Sequence, residues 1–311
     1  MTTSIVANPA LPESTVKAAT RHTKQRLTSR GATIASLIIA VFWTIPTVGL
    51  FITSIRPEVD TLRTGWWQIF VNPTFTFENY ANVLFGRDSL LGPFLNSIAI
   101  SIPATVFPLV IASLAGYAFA WMKFKGRDVL FVLVFALQIV PIQMALVPLL
   151  SLFSRGLQVG DQVLYEGLRG AGLFSQVWIA HTIFALPLAI FLLHNFISEI
   201  PADVIEAARV DGASHGQIFF RIVVPLSLPA IASFAIFQFL WVWNDLLIAL
   251  IFASGPAAPI TRALAELTGE FGQNAQLLPA GAFISILIPL VVFLALQRYF
   301  VRGLLAGSTK G

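Results

Sequence analysis

The sequence predicts an all-α polytopic membrane protein with about six transmembrane helices. Three observations carry this. Of its 311 residues, 57% are hydrophobic and 11% are charged, where a soluble domain carries about 25% charged residues. The mean hydropathy is +0.82. Long charge-free runs recur along the chain, and each exceeds the ~20 residues that a helix needs to cross ~30 Å of hydrocarbon. There are no cysteines, which excludes disulfides, thiolate catalysis and cysteine-held metal or iron–sulfur sites.

The runs are Gly31–Ile55, Ser89–Met122, Val129–Ser154, Gly170–Ser198, Ile222–Asn244 (continuing past Asp245 to Thr261) and Phe271–Gln297. They predict helices over 32–54, 94–121, 129–152, 176–197, 228–252 and 279–300. Residues 1–30 are polar, rich in Thr and Ser, and read as a tail. The transmembrane domain is expected over 31–303, followed by a short tail at 304–311. The connections at 56–91, 155–175 and 253–278 lie on the face opposite to the N-terminus, and Trp66 and Trp67 suit an interfacial belt there. Pro46, Pro103, Pro108, Pro141, Pro148, Pro187 and Pro289 fall inside spans, where neighbours or water can re-satisfy the freed carbonyls. Ala112, Gly116 and Ala120 recur every four residues, a small-residue stripe that lets helices approach closely.

Basic residues set the orientation. With the N-terminus inside, thirteen Lys and Arg fall on the inner side, among them Lys17 to Arg30, Lys123 to Arg127, Arg209 and Arg221, against six outside. The positive-inside rule then places both termini in the cytoplasm, and the charge pattern reports topology rather than nucleic-acid binding.

Between the fourth and fifth runs lies a charge-bearing island, Glu206–Pro225, inside a loop over 199–227. It reads as two short helices around a bend. Pro201 suits a helix start, and Asp203 and Glu206 suit the positive end of the dipole. Asp211-Gly212 breaks the first helix, since glycine relieves the steric penalty of a positive φ. Ser214 with Gln217 completes a capping box, and the second helix is expected to end near Pro225, with Pro229 opening the next span. Spacing alone leaves two readings open: a solvated hairpin joining two spans, or a rigid protrusion that docks on a cytoplasmic partner.

The segment EAARVDGASHGQIFFRIVVP resembles the EAA loop of ABC importer permeases, with Glu206-Ala207-Ala208, then Gly212, then Ile222 and Pro225; Val224 stands where that family usually has Leu. LPLAIFLLHNFISEIP, WNDLLIAL and the C-terminal QRYFVRGLLAGSTKG are similar to the second permease of carbohydrate importers, the maltose and α-glucoside type. The resemblance spans nearly the whole chain. It implies the type I ABC importer permease fold and a non-catalytic subunit in a bacterial or archaeal cytoplasmic membrane, surrounded by membrane lipid. The implied partners are a second permease in a heterodimer, two ATP-binding cassette subunits and an extracytoplasmic sugar-binding protein. ATP and Mg would bind the ATPase; no GxxxxGK[ST] occurs in this chain, so it has no phosphate cradle of its own, and no cofactor is expected in it. The implied coupling residues are Glu206, Ala207, Ala208, Asp211, Gly212, Ser214 and Pro225. The implied cargo is an α-linked di- or oligosaccharide such as an α-glucoside, maltose or trehalose.

For the pathway, Asp245 is the one carboxylate inside a predicted span, and a charge there costs roughly 2.5–3.5 kcal/mol unless it faces a cavity or a partner. Gln238, Trp241 and Asp245 share one helix face, with Asn244 adjacent. Polar groups beside an aromatic ring suit a sugar; the competing reading has Asp245 holding structure only. Asn96, Ser97, Gln138 and Gln143 read as interhelical glue, and His181 and His194 as packing residues. Two other functions remain in play: a proton-coupled carrier using Asp245, and a membrane-embedded transferase, which would need acids, bases or a metal converging at one face.

Overall fold

The computed structural model describes residues 30–87, 89–168, 171–267 and 274–308. The predicted N-terminal tail up to residue 29 and the last residues of the C-terminal one lie outside them. The chain divides into two compact units, up to Thr76 and from Phe77 onward.

The first unit is led by α1 (Arg30–Ser54), an apolar helix with Pro46 inside it and with nearly every side chain exposed. A short helix, α2 (Glu58–Arg63), and a 3-10 turn (Trp66–Phe70) follow. Trp66 lies on α1 so closely that a Cβ on Gly49 would stand 2.7 Å from its Nε1. Arg56 is buried, 2% exposed. Its guanidinium donates to the carbonyls of Gly65 at 3.0 Å, Thr64 at 3.2 Å and Asp60 at 3.2 Å. A charge counted as a loop cation is therefore an internal staple, satisfied by a fork of donors matched to carbonyl oxygens.

The second unit holds α3 (Glu78–Phe85), α4 (Leu91–Trp121), α5 (Arg127–Ala136) with a 3-10 extension (Leu137–Ile139), and α6 (Ile142–Arg155). An antiparallel hairpin follows, β1 (Leu157–Val159) with β2 (Gln162–Tyr165). Then come α7 (Ser175–Ser198), α8 (Ala202–Val210), α9 (His215–Ile218), a π turn (Phe219–Val223) and α10 (Val224–Asn244). The chain closes with α11 (Leu247–Phe252), α12 (Ile260–Leu267) and α13 (Leu278–Ser308). Among the described residues, five helices are long and apolar enough to cross a membrane, or six if the α5–α6 pair is one span.

The α5–α6 pair corrects the expected helix over 129–152. It is bent by 104°, with Val140 extended at ψ 119 and Pro141 at ψ 131. Proline disfavours helical geometry in the residue before it and has no N–H to carry the ladder onward. The fifth span is corrected too. It does not run unbroken over 228–252, because Asp245 is extended at ψ 133 and ends α10 before α11 begins. The connection at 155–175 is an ordered β-hairpin at its start, with the strands exposed.

Helices α4 and α7 form the spine. Ala112 and Ala189 are fully buried, and a Cβ on Gly116 would stand 3.1 Å from the backbone nitrogen of His194. The small-residue stripe thus serves packing within the chain. Trp178 Nε1 donates to Ala99 O at 3.0 Å near one end of the spine, and Trp121 Nε1 donates to Ile197 O at 3.1 Å at the other. A Gly116→Leu substitution is expected to force the pair apart and cost about 1–3 kcal/mol, the usual penalty of overpacking. A lowered thermal midpoint of the purified protein would report it. Two apolar clusters flank this spine. One holds Ile100, Ala104, Phe153, Ala180, Ile248 and Phe252; the other holds Ala112, Tyr117, Leu193, Ile205, Phe219 and Val223.

Candidate coupling element and pathway face

The island between α7 and α10 folds as its capping residues dictate. α8 ends at Val210 with Asp211 as C-cap. Gly212 follows at φ +80. Its N–H donates to Arg209 O at 3.0 Å, and the N–H of Ala213 donates to Ala208 O at 2.9 Å. This pair of bonds is a Schellman motif, which needs a left-handed residue at the position Gly212 occupies. Ser214 then caps α9. Its backbone N–H donates to Gln217 Oε1 at 2.8 Å, and the Gln217 N–H donates to Ser214 Oγ at 3.4 Å. The predicted capping box is present.

One boundary is corrected. The second helix does not end near Pro225. It passes through the π turn into α10, so His215–Asn244 is one continuous segment of 30 residues. Pro225 sits at the start of α10 and Pro229 inside it. A π turn widens the ladder by one residue and relieves the clash that a proline ring makes with the preceding turn. The bend residues are therefore joined rigidly to a membrane span.

The element is anchored rather than loose. Ile205 and Ile218 are buried at 0% and 1% exposure, and Phe219 beside them at 6%. Arg209 Nη2 donates to Trp121 O at 2.8 Å. Tyr117 Oη and His215 Nδ1 lie 2.8 Å apart. Both short helices are thus tied to the last turns of α4. The opposite face carries Glu206, Ala207, Asp211 and Gly212, all exposed. Val210 is 88% exposed and Phe220 70% exposed. An apolar side chain that open, on a backbone this well fixed, makes the element a shaped knob with a mixed apolar and acidic surface. Glu206 makes no ion pair among the described residues.

The pathway residues read from the sequence do not act as one set. Gln238 is buried and its amide donates to Ala104 O at 3.2 Å. Asn244 Nδ2 donates to Leu240 O at 2.7 Å. Asp245 Oδ2 accepts the N–H of Ile248 at 3.0 Å and of Ala249 at 3.1 Å, capping the start of α11. The far end of α11 is held by Arg262, whose Nη1 donates to Leu250 O at 2.9 Å. Thr261 Oγ1 closes the arrangement by donating to Asp245 O at 2.7 Å. His181, read as a packing residue, stands with its Nε2 3.9 Å from Asp245 Oδ2. Ser97 accepts the N–H of Ile260 at 2.8 Å, and Asn96 donates to Pro256 O and Ala258 O, so both are glue, as expected.

Trp241 behaves differently. It lines a cavity of about 400 Å³ at the α5–α6 break, together with Gln138 and Gln143. Their pairing could not be read from a periodicity, because they come from elements about a hundred residues apart and meet only through the bend. Among the described residues no cluster of His, Asp and Glu could hold a metal ion.

Comparison with known proteins places this architecture. Residues 108–305 match the family described as Binding-protein-dependent transport system inner membrane component. The chain is 54% identical over 284 residues to the osmoprotective compounds uptake permease protein GgtD of Synechocystis, covering 89% of this chain and 91% of that protein. It is 51% identical over 245 residues to the alpha-glucoside transport system permease protein AglG of Rhizobium meliloti, covering 77% of this chain and 61% of that protein. A bacterial ABC transporter involved in the import of alginate shares the fold with a TM-score of 0.65 at 20% identity, covering 88% of this chain and 98% of that one. The anchored helix-turn-helix and the broken spans described above are thus parts of a non-catalytic ABC permease subunit, and the chain belongs to the binding-protein-dependent transport system inner membrane components.

Proposed function

We propose that this chain is one of two permeases in an ATP-driven importer of an α-linked di- or oligosaccharide. Its element at 202–223 seats in a cleft of a cytoplasmic ATPase subunit. The observation that carries this is the rigid knob: Glu206, Val210 and Phe220 exposed on a backbone locked by a Schellman turn, a capping box and two ties to α4. A lever transmits motion only if it moves as one body with the spans it pushes. Continuity of α9 with α10 supports that. Lys123, Lys125, Arg127, Arg209 and Arg221 cluster at this end of the helices, which supports a cytoplasmic position for it and for both termini. The sugar class is supported by the resemblance to AglG, a permease for alpha-glucosides, and by a cavity lined without charged side chains.

In this scheme the second permease completes the path, two ATP-binding cassette subunits bind ATP and Mg, and an extracytoplasmic protein delivers the sugar. The test is reconstitution of the whole assembly in liposomes with its binding protein. The expected result is ATP hydrolysis stimulated by maltose or trehalose and uptake that persists when a protonophore collapses the proton gradient. Uptake that needs the gradient and not ATP would overturn the reading in favour of a proton-coupled carrier.

A further inference from the structure

We propose that this subunit itself grips the sugar in transit, in the cavity at the α5–α6 break, through Gln138, Gln143 and Trp241. The inference rests on the sugar-importer reading above and adds which residues of this chain touch the cargo.

Hydrogen-bonding capacity left unused points to this place. Four tryptophans of the second unit are comparable. Trp121, Trp178 and Trp243 each spend the indole N–H on a backbone carbonyl, at 3.1, 3.0 and 2.9 Å. Trp241 makes no such bond among the described residues, and it is 36% exposed. The amides divide the same way. Asn96, Gln238 and Asn244 all donate to carbonyls of their own chain. Gln138 and Gln143 are exposed and make no hydrogen bond among the described residues. The three unspent groups line one cavity of about 400 Å³.

That cavity cannot open onto lipid. It lies where the backbone leaves helical geometry, at a 104° bend, and irregular backbone at membrane depth is tolerated only beside protein or water. Two free amides make hydrocarbon costlier still. What remains is a protein neighbour or a polar occupant, and the lining favours the second. The lining has donors and acceptors from both amides, a donor and a flat ring from Trp241, and apolar walls from Ile183, Phe184 and Pro187. It has no charged side chain. An anionic or cationic cargo would find no counter-charge. An uncharged polyol finds amides for its hydroxyl pairs and a ring for its C–H face. The break at Val140 and Pro141 is what turns Gln138 and Gln143 toward the same space, since on a straight helix residues five apart lie well round the axis from one another.

The experiment uses the reconstituted assembly with its binding protein and three single substitutions: Gln138→Ala, Gln143→Ala and Trp241→Phe. Each removes a hydrogen-bonding group and keeps the helix. Maltose and trehalose are supplied separately and in competition. The expected result is a shift of roughly three- to tenfold in the ratio of maximal uptake rates for the two sugars, the range for one lost hydrogen bond. Unchanged rates and ratio in all three variants would overturn the proposal while leaving the importer reading intact. Loss of co-purification with the second permease would overturn it as well, by showing that the amides bind that subunit. If the unsubstituted assembly moves neither sugar, the importer reading itself fails and this inference falls with it.

Discussion

Gly212→Pro is expected to cut sugar uptake more than tenfold while the chain still inserts and ATP hydrolysis continues. Gly212 holds φ +80 and donates its N–H to Arg209 O. Proline is locked near φ −65 and has no N–H. The substitution removes both requirements of the Schellman turn at once and reorients α9 against α8. Nothing lies within 4 Å of a Cβ built on Gly212, so steric crowding is not the cause. Gly212→Ala should therefore be mild, costing only the roughly 1–2 kcal/mol of left-handed backbone. Glu206→Ala leaves the turn intact and removes only an exposed carboxylate. Its uptake should fall less than in Gly212→Pro, with no loss of thermal stability. Parallel measurement of uptake per ATP hydrolysed ranks the three. Full, sugar-stimulated uptake in the proline variant would remove the basis for the lever.

Asp245→Ala is expected to destabilise the junction of α10 and α11, whereas Asp245→Asn is expected to be tolerated. The carboxylate accepts two backbone N–H groups at the start of α11. Its side chain is 9% exposed. Hydrogen bonds to a charged group contribute about 1.5–3 kcal/mol, and alanine leaves both donors buried without an acceptor. Asparagine keeps one oxygen where it is needed, at a lower strength. A proton-relay role predicts that both variants lose activity, since neither asparagine nor alanine can carry the proton. Thermal midpoint and ATP-driven uptake of the two variants separate the cases: an inactive but stable Asp245→Asn protein would favour the relay. Arg262 at the other end of α11 makes Arg262→Ala a milder companion, because its short bond goes to the carbonyl of exposed Leu250.

Legibility followed the range of the interaction. The Ser214–Gln217 box and the Gly212 turn depend on residues within a few positions of one another, so their pattern could be read directly. The four spans that stayed whole were equally visible, because hydropathy over twenty residues is a local sum. The two broken spans were not. Seven prolines were recognised inside spans, and six of them lie within helices. Only Pro141 stands at a sharp break, and nothing in its immediate neighbours distinguishes it. Asp245 looked like a pathway residue because a lone carboxylate in an apolar run has no partner in sequence. Its partners are the N–H groups that the break in its own helix sets free.

By itself the sequence determined the class, the four spans that stayed whole and the bend at 211–214, since each follows from composition or from short-range capping. The tertiary structure alone decided which polar groups are spent inside the bundle and which are left over. Gln238 and Asn244 look no different from Gln138 and Gln143 as residue types. The packing of α10 against α4 gives Gln238 the Ala104 carbonyl, and Asn244 turns back on Leu240 in its own helix, while the bend between α5 and α6 carries the second pair to Trp241. The bond that satisfies Gln238 crosses from one helix to another, so it is a property of the assembled bundle and no single segment encodes it.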